Sequence, residues 1–392
     1  MRIGIITRYF HNQNYGGLLQ AYALCKYINT HFPEYNAEQI AFNSYPGIIK
    51  KLRELCFAPL DRKVLFAKES IHLVLDILKT KLHGNIVYTY TSKRTAAFAE
   101  FEKNIPHSAK VYTGCNITDT LSEYDIFITG SDQVWNPLWY YSEYFLDFVP
   151  LGTPKISYAA SISQAALNPK QRQLFKESLR SYTAISVREK DAAALLEHLS
   201  DIPVEWVLDP TLLLTKHEWD EICSPNVINK PYIFCYFLGE DMTARNLAKQ
   251  FADKHKLPLA AIPYLQGKYR ACDKNFGDIC LSDISPNQFI SLIKNAEYIF
   301  TDSFHATVFS HIFEKEYFVF ERHGKQGMSS RLYSLLTIFN KIERFCDNNN
   351  KASLSYIESL PVLDYSKKPQ ELEHMKQISF DFISKSLKGK EV

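Results

Sequence analysis

No run in the 392-residue sequence approaches the roughly 20 apolar residues of a membrane span. The apolar start MRIGIITRYF is too short for a signal peptide and reads as a first β-strand. The eight cysteines include no C-x-x-C pair, and Cys272 and Cys280 are too far apart for a zinc knuckle. Reduced thiols in a cytoplasmic protein without a structural metal are therefore expected. The net charge of +2 excludes a polycation, and no nucleic-acid motif is present. Neither G-x-G-x-x-G nor a P-loop occurs, so the usual nucleotide fingerprints are missing.

What is present is an ordinary globular composition, 46% hydrophobic and 22% charged, over a length that suits two domains. Short apolar runs alternate with helical periodicity. RIGIIT (2–7), DIFITG (125–130), KISYAA (155–160), AISV (184–187), VEWVL (204–208), YIFCYFL (232–238), PLAAIP (258–263), YIFT (298–301) and YFVFE (317–321) read as strands with helices between them. Near-continuous apolar strands alternating with helices predict an α/β protein, parallel sheets covered on both faces. Two such domains are expected, 1–175 and 176–345, followed by a helical tail, 346–392. Residues 46–105 break the rhythm with basic amphipathic helices. These suit either a subdomain packed on the core or a membrane interface.

Ligands of open α/β sheets bind beyond the carboxyl ends of strands, and four loops fall there. TRYFHNQNYGG (7–17) ends in Gly16 and Gly17, which allow close backbone approach. Its amides and aromatics favour a binding loop over a plain connection. GSDQVWNPLWYY (130–141) sets Asp132, Gln133 and Asn136 beside Trp135. That set suits a sugar, with hydrogen bonds for hydroxyls and an aromatic face for C–H groups; it equally suits an N-capping Asp with core tryptophans. Arg188 opens a helix, where an acid is the usual choice, and so points mildly to anion binding. In TDSFHATVFSH (301–311), Ser303 is placed to cap a helix carrying His305 in its first turn. RHGKQGMSSRLYSLL (322–336) repeats the pattern of a basic, Gly-containing loop before a helix start.

Taken together, NYGGLLQAYAL, GSDQVWNP, YAASIS, ISVREKDAAALL, VLDPTLLL, TDSFHATVFS and SSRLYSLL resemble the polysaccharide pyruvyl transferase family, from residue 2 to about residue 340. The resemblance implies a GT-B-like fold of two Rossmann-like domains facing a central cleft. It implies transfer of the pyruvyl group of phosphoenolpyruvate to a sugar of a capsular or other surface polysaccharide, or its lipid-linked precursor. The product is a cyclic pyruvate ketal; phosphoenolpyruvate is a co-substrate and no cofactor is expected. His305 matches the family's essential histidine and Arg188 a substrate-binding arginine. Ser303 stands where some members carry arginine, a loss that Lys325 or Arg331 would offset.

The expected catalytic residues are His305, Asp132 and Arg188. Arg188, Ser303, Phe304, His305, Lys325, Ser330 and Arg331 are expected to bind phosphoenolpyruvate. Asn14, Tyr15, Gly16, Gly17, Gln20, Asp132, Gln133, Trp135 and Asn136 are expected to bind the acceptor. A nucleotide-sugar glycosyltransferase of the same architecture is the alternative, and a non-enzymatic glycan-binding module a third reading. The basic helices would hold the chain peripherally at the cytoplasmic face of the inner membrane, near a polyprenyl-diphosphate-linked acceptor.

Overall fold

A computed structural model describes residues 1–44, 91–164, 166–265, 270–322, 328–347 and 352–389. Most of the expected basic insertion, residues 45–90, lies outside the described residues, as does Lys325. The first sheet is built from β1 (Arg2–Ile6), β2 (Asn36–Gln39), β3 (Ile126–Thr129), β4 (Lys155–Ala160), β5 (Ala184–Val187) and β6 (Val204–Trp206), in the order β2-β1-β3-β4-β5-β6. The second holds β7 (Ile233–Tyr236), β8 (Leu259–Ala261), β9 (Ile279–Cys280), β10 (Tyr298–Thr301), β11 (Glu316–Phe320) and β12 (Phe345–Cys346), in the order β12-β11-β10-β7-β8-β9. Every pairing is parallel. Parallel strands need crossovers. Helices supply most of them: α1 (Tyr15–His31), α2 (Ser92–Glu102), α3 (Pro169–Leu179), α4 (Lys190–Glu197), α5 (Lys216–Asp220), α6 (Met242–His255), α7 (Pro286–Asn295), α8 (Phe304–Ile312) and α9 (Met328–Ile338). Two more, α10 (Leu354–Ser359) and α11 (Gln370–Lys388), form the tail.

The fold is thus α/β with two parallel six-stranded sheets, as the alternation of runs predicts. The first sheet follows the flavodoxin-like order, with its switch between β1 and β3; the second follows the Rossmann order, with its switch between β7 and β10. One detail differs from expectation. β5 and β6 follow residue 175 yet extend the first sheet, β5 pairing with β4 and β6 with β5, so the chain leaves that sheet after Trp206 and enters the second at Ile233. A short strand carries no mark of which sheet it joins, because pairing is decided by long-range packing.

The helices start on local chemistry. Asn14 caps α1, its side-chain oxygen accepting from Gly17 N at 3.3 Å. Asn168 and Ser285 close capping boxes at α3 and α7, each with Pro in the first turn. The tail returns to the first half. Leu208 N donates to Ser379 Oγ at 3.0 Å, Tyr35 Oη donates to Leu387 O at 2.9 Å, and Phe380 stacks on Phe32. Near the cleft, Tyr15 stacks on Phe289 with ring centroids 4.4 Å apart, so α1 and α7 join the halves through aromatic surface.

Candidate functional site

The two switch points face one another, and the residues following β1, β3, β7, β10 and β11 meet there. Between them lies a cleft. Asn14, Tyr15, Gly16, Asp132 and Gln133 line it from one half; Tyr236, Ser303, Phe304, His305, Arg322 and Arg331 line it from the other.

The β10 end is tied down before the helix begins. Thr301 Oγ1 accepts from Ser303 N at 3.0 Å and donates to Tyr236 O at 2.6 Å. The Asp302 carboxylate accepts from Leu238 N and Gly239 N, both at 2.6 Å, so it joins the ends of β10 and β7. Ser303 Oγ then caps α8 through Ala306 N at 3.4 Å. His305 is thereby fixed in the first turn, and its Nε2 stands 3.6 Å from Asp209 Oδ2, just beyond a hydrogen bond. Gly16 is packed against the same ring: a Cβ on Gly16 would lie 2.0 Å from His305 Nδ1. Only a residue without a side chain lets α1 start there.

Asp132 is held in a conformation that glycine prefers, φ 72° and ψ −172°. Such a backbone costs about 1–3 kcal/mol and persists where surrounding bonds over-determine it. Here Val134 N and Ser161 N both donate to Asp132 O, at 2.7 and 2.9 Å.

Arg188 does not line the cleft. It is buried behind Phe304, its guanidinium 4.6 Å from that ring, beside a small gap it shares with Asp209, Leu212 and Arg331. Its Nη1 donates to Asp209 Oδ2 at 2.8 Å, Glu189 Oε1 lies 3.4 Å from Nε, and Asp132 Oδ1 lies 3.7 Å from Nη2. Burial favours the neutral guanidine, but the three carboxylates outweigh it and raise the pKa above its ordinary value. Burial likewise opposes charge on Asp209, yet His305 and Arg188 hold its carboxyl well below the usual carboxylate range. Ser131 Oγ and the amide and hydroxyl of Thr211 also donate to it, at 3.0, 3.0 and 2.6 Å. Arg331, also buried, is pushed down to about 10 by burial and by Arg188 and Arg322.

Several expected acceptor residues lie elsewhere. Trp135 is fully buried, stacked on Phe145 with its Nε1 donating to Tyr144 O at 3.2 Å, so it is a core residue and cannot stack on a sugar. Asn136 is buried and caps the turn at Pro137–Trp139 through Leu138 N. Gln20 is buried and donates to Thr7 Oγ1 and Gly17 O, bracing the loop after β1. Gly17 supports the same loop, since a Cβ there would lie 3.1 Å from Arg8 O. Tyr15 turns its hydroxyl away from the cleft to Ile284 O at 3.0 Å. Ser330 lies in the first turn of α9.

Three residues at the site escaped the sequence reading: Asp209, Arg322 and Tyr236. Asp209 follows β6 in an Asp-Pro step that reads as a turn. Arg322 follows β11, and its signal was the same strand-end position that singled out Arg188. Among the described residues, no group of three or more His, Cys, Asp or Glu is placed to hold a metal, and no helix is long and apolar enough to cross a membrane.

Two Rossmann-like halves with a polar cleft at facing switch points define a GT-B-like enzyme architecture. The UDP-GlcNAc 2-epimerase from Methanocaldococcus jannaschii shares it, with a TM-score of 0.53 at 10% identity over 98% of this chain and 100% of that one. Weaker likenesses are the Neisseria meningitidis UDP-GlcNAc 2-epimerase bound to UDP-GlcNAc (TM-score 0.46, 12% identity, 99% and 100% covered) and the Streptomyces nogalater glycosyltransferase SnogD (0.44, 12%, 99% and 98%). No curated protein matches the sequence significantly. The model of the family described as "Polysaccharide pyruvyl transferase" matches residues 14–324. The chain belongs to that family and is a transferase, with a pyruvyl donor and a polysaccharide acceptor.

Proposed function

We propose that the chain moves the pyruvyl group of phosphoenolpyruvate onto two hydroxyls of one sugar, forming a cyclic ketal and releasing phosphate. The observation that carries this reading is the composition of the cleft. Arg322, Arg331 and the start of α8 offer positive potential to a small anion, and His305 and Asp132 stand beside them as proton carriers.

The proton count closes without an outside acid. The donor's methylene carbon gains one proton, which leaves C2 electrophilic. One hydroxyl adds to C2, the C2–O bond to phosphate breaks with its electron pair on phosphate, and the second hydroxyl closes the ketal. Two hydroxyl protons are lost; one matches that gained by carbon and the other leaves on phosphate. His305 and Asp132 serve as the two bases. Asp209, 3.6 Å from Nε2, and Gly16, packed on the Nδ1 side, hold the His305 ring in place. Arg188 acts through Asp209 and Phe304 and does not touch the donor. The acceptor lies against Tyr236, with Asn14 and Gln133 toward its hydroxyls. Its attachment to a lipid carrier, and peripheral membrane contact through residues 46–83, belong to a segment outside the described residues.

Incubation with [2-13C]phosphoenolpyruvate and surface-glycan fragments is expected to give a ketal carbon and one phosphate per ketal. His305→Ala is expected to lower kcat about 100- to 10,000-fold, the usual worth of a positioned general base. Cleavage of a nucleotide sugar with no use of phosphoenolpyruvate would replace this reading with the glycosyltransferase one.

A further inference from the structure

We propose that Arg322, with the first turn of α8, forms the subsite for the donor's phosphate. This rests on the donor reading above and adds to it the residue that meets the leaving group.

The placement follows from the sheet. β11 pairs parallel to β10, with Thr301 beside Val319, so Arg322 leaves the sheet next to Asp302 and Ser303. Its Nη2 donates to the main-chain oxygen of Asp302 at 2.7 Å. The Asp302 carboxylate is a poor counter-ion: its Oδ1 is 3.5 Å from Nη2 and already accepts from Leu238 N, and its Oδ2 accepts from Gly239 N. The Arg322 side chain is only 9% exposed and borders the cleft, and its buried Nε has no hydrogen bond. Gly239 makes room for the stem: a Cβ there would lie 3.1 Å from Arg322 Cγ and 2.8 Å from Asp302 Oδ2. The site is therefore built to hold a guanidinium still at the wall of the cleft.

Asp302 gives the buried Arg322 a single loose ion pair, and a dianion in the cleft adds the second counter-charge. Arg331 and Arg188 crowd the same region with positive charge, which an entering anion also offsets. The nine-residue α8 adds its N-terminal potential, and Ser303 Oγ holds Ala306 N only at 3.4 Å. In the reaction, the C2–O bond breaks with its electrons on the phosphate oxygen, where Arg322 meets the developing charge.

The test is calorimetric titration of the full chain with inorganic phosphate, pyruvate and phosphoenolpyruvate, for wild type, Arg322→Gln and Arg322→Lys. Loss of a charge-assisted hydrogen bond should weaken phosphate and phosphoenolpyruvate about ten- to a hundredfold in Arg322→Gln. Pyruvate, which lacks the phosphate, should bind as in wild type, and Arg322→Lys should recover part of the loss. Wild-type phosphate affinity in Arg322→Gln overturns the proposal. So does an equal loss in both variants matched by an equal fall in unfolding temperature, which marks a structural role. If wild type turns over phosphoenolpyruvate and Arg322→Gln keeps its KM, the subsite alone is wrong. If wild type neither binds nor uses phosphoenolpyruvate, the donor reading falls and the subsite with it.

Discussion

Arg188 and Arg322 follow strand ends in opposite halves, and they have opposite surroundings. Arg188 is 2% exposed with three carboxylates around it, and its strongest bond is to Asp209. Arg322 has one carboxylate nearby, Asp302, which pairs with it loosely at 3.5 Å while also accepting from two backbone amides. Each keeps one buried nitrogen without a hydrogen bond, Nη2 of Arg188 and Nε of Arg322, so the difference lies in the counter-charges and in which of the two borders the cleft. Arg188 completes the Asp209 cluster that reaches across to His305, and in the proposed reading it is scaffold. Arg322 borders the cleft and is the one proposed to meet an anion.

Removing each arginine separates the two roles. Arg188→Ala leaves Asp209 and Glu189 buried without their cation, a change that costs about 3–5 kcal/mol. The urea midpoint should fall far more than in Arg322→Gln; equal midpoints would break the comparison. Gly16→Ala is expected next, because its Cβ would overlap the His305 ring. The imidazole must turn off Asp209, and kcat should fall about a hundredfold with donor affinity retained, the scale expected for a small misplacement of a catalytic group. An unchanged kcat would remove His305 from the reaction.

The smallest effect lies on the same helix. His311, in the last turn of α8, stacks on Phe339 at 3.8 Å, and its buried Nδ1 has no hydrogen bond. Burial first, then Lys341 and Lys376, push its pKa from 6.5 down to about 3. Between those values the unfolded chain binds a proton that the folded chain refuses, so stability falls as pH falls through this window. The loss is about 2 kcal/mol at pH 5. His311→Leu should flatten stability between pH 6.5 and 4; an unchanged acid slope would show that other groups set it.

The architecture was legible because strand and helix periods differ and the apolar runs alternate cleanly. The point where the chain changes sheets was not, since β5 and β6 are short and join the first sheet by pairing β5 to β4 and β6 to β5, contacts that sequence does not announce. At the site, His305, Ser303 and Asp132 stood out as polar groups where an apolar strand stops. Trp135 stood out for the same reason, yet it turns inward onto Phe145 and Tyr182; side-chain direction past a strand end depends on the partners waiting there. Asp209 looked like a turn residue because its worth lies in Arg188 and His305, 21 and 96 positions away along the chain.

A crystal structure of the chain with phosphoenolpyruvate bound tests the central claim most directly. The ligand is expected in the cleft between the two switch points, its phosphate within about 3 Å of Arg322 and the α8 first turn, with Arg188 still on Asp209. Phosphoenolpyruvate seated on Arg188 after that bond has opened, or absent from the cleft at saturating concentration, would contradict it.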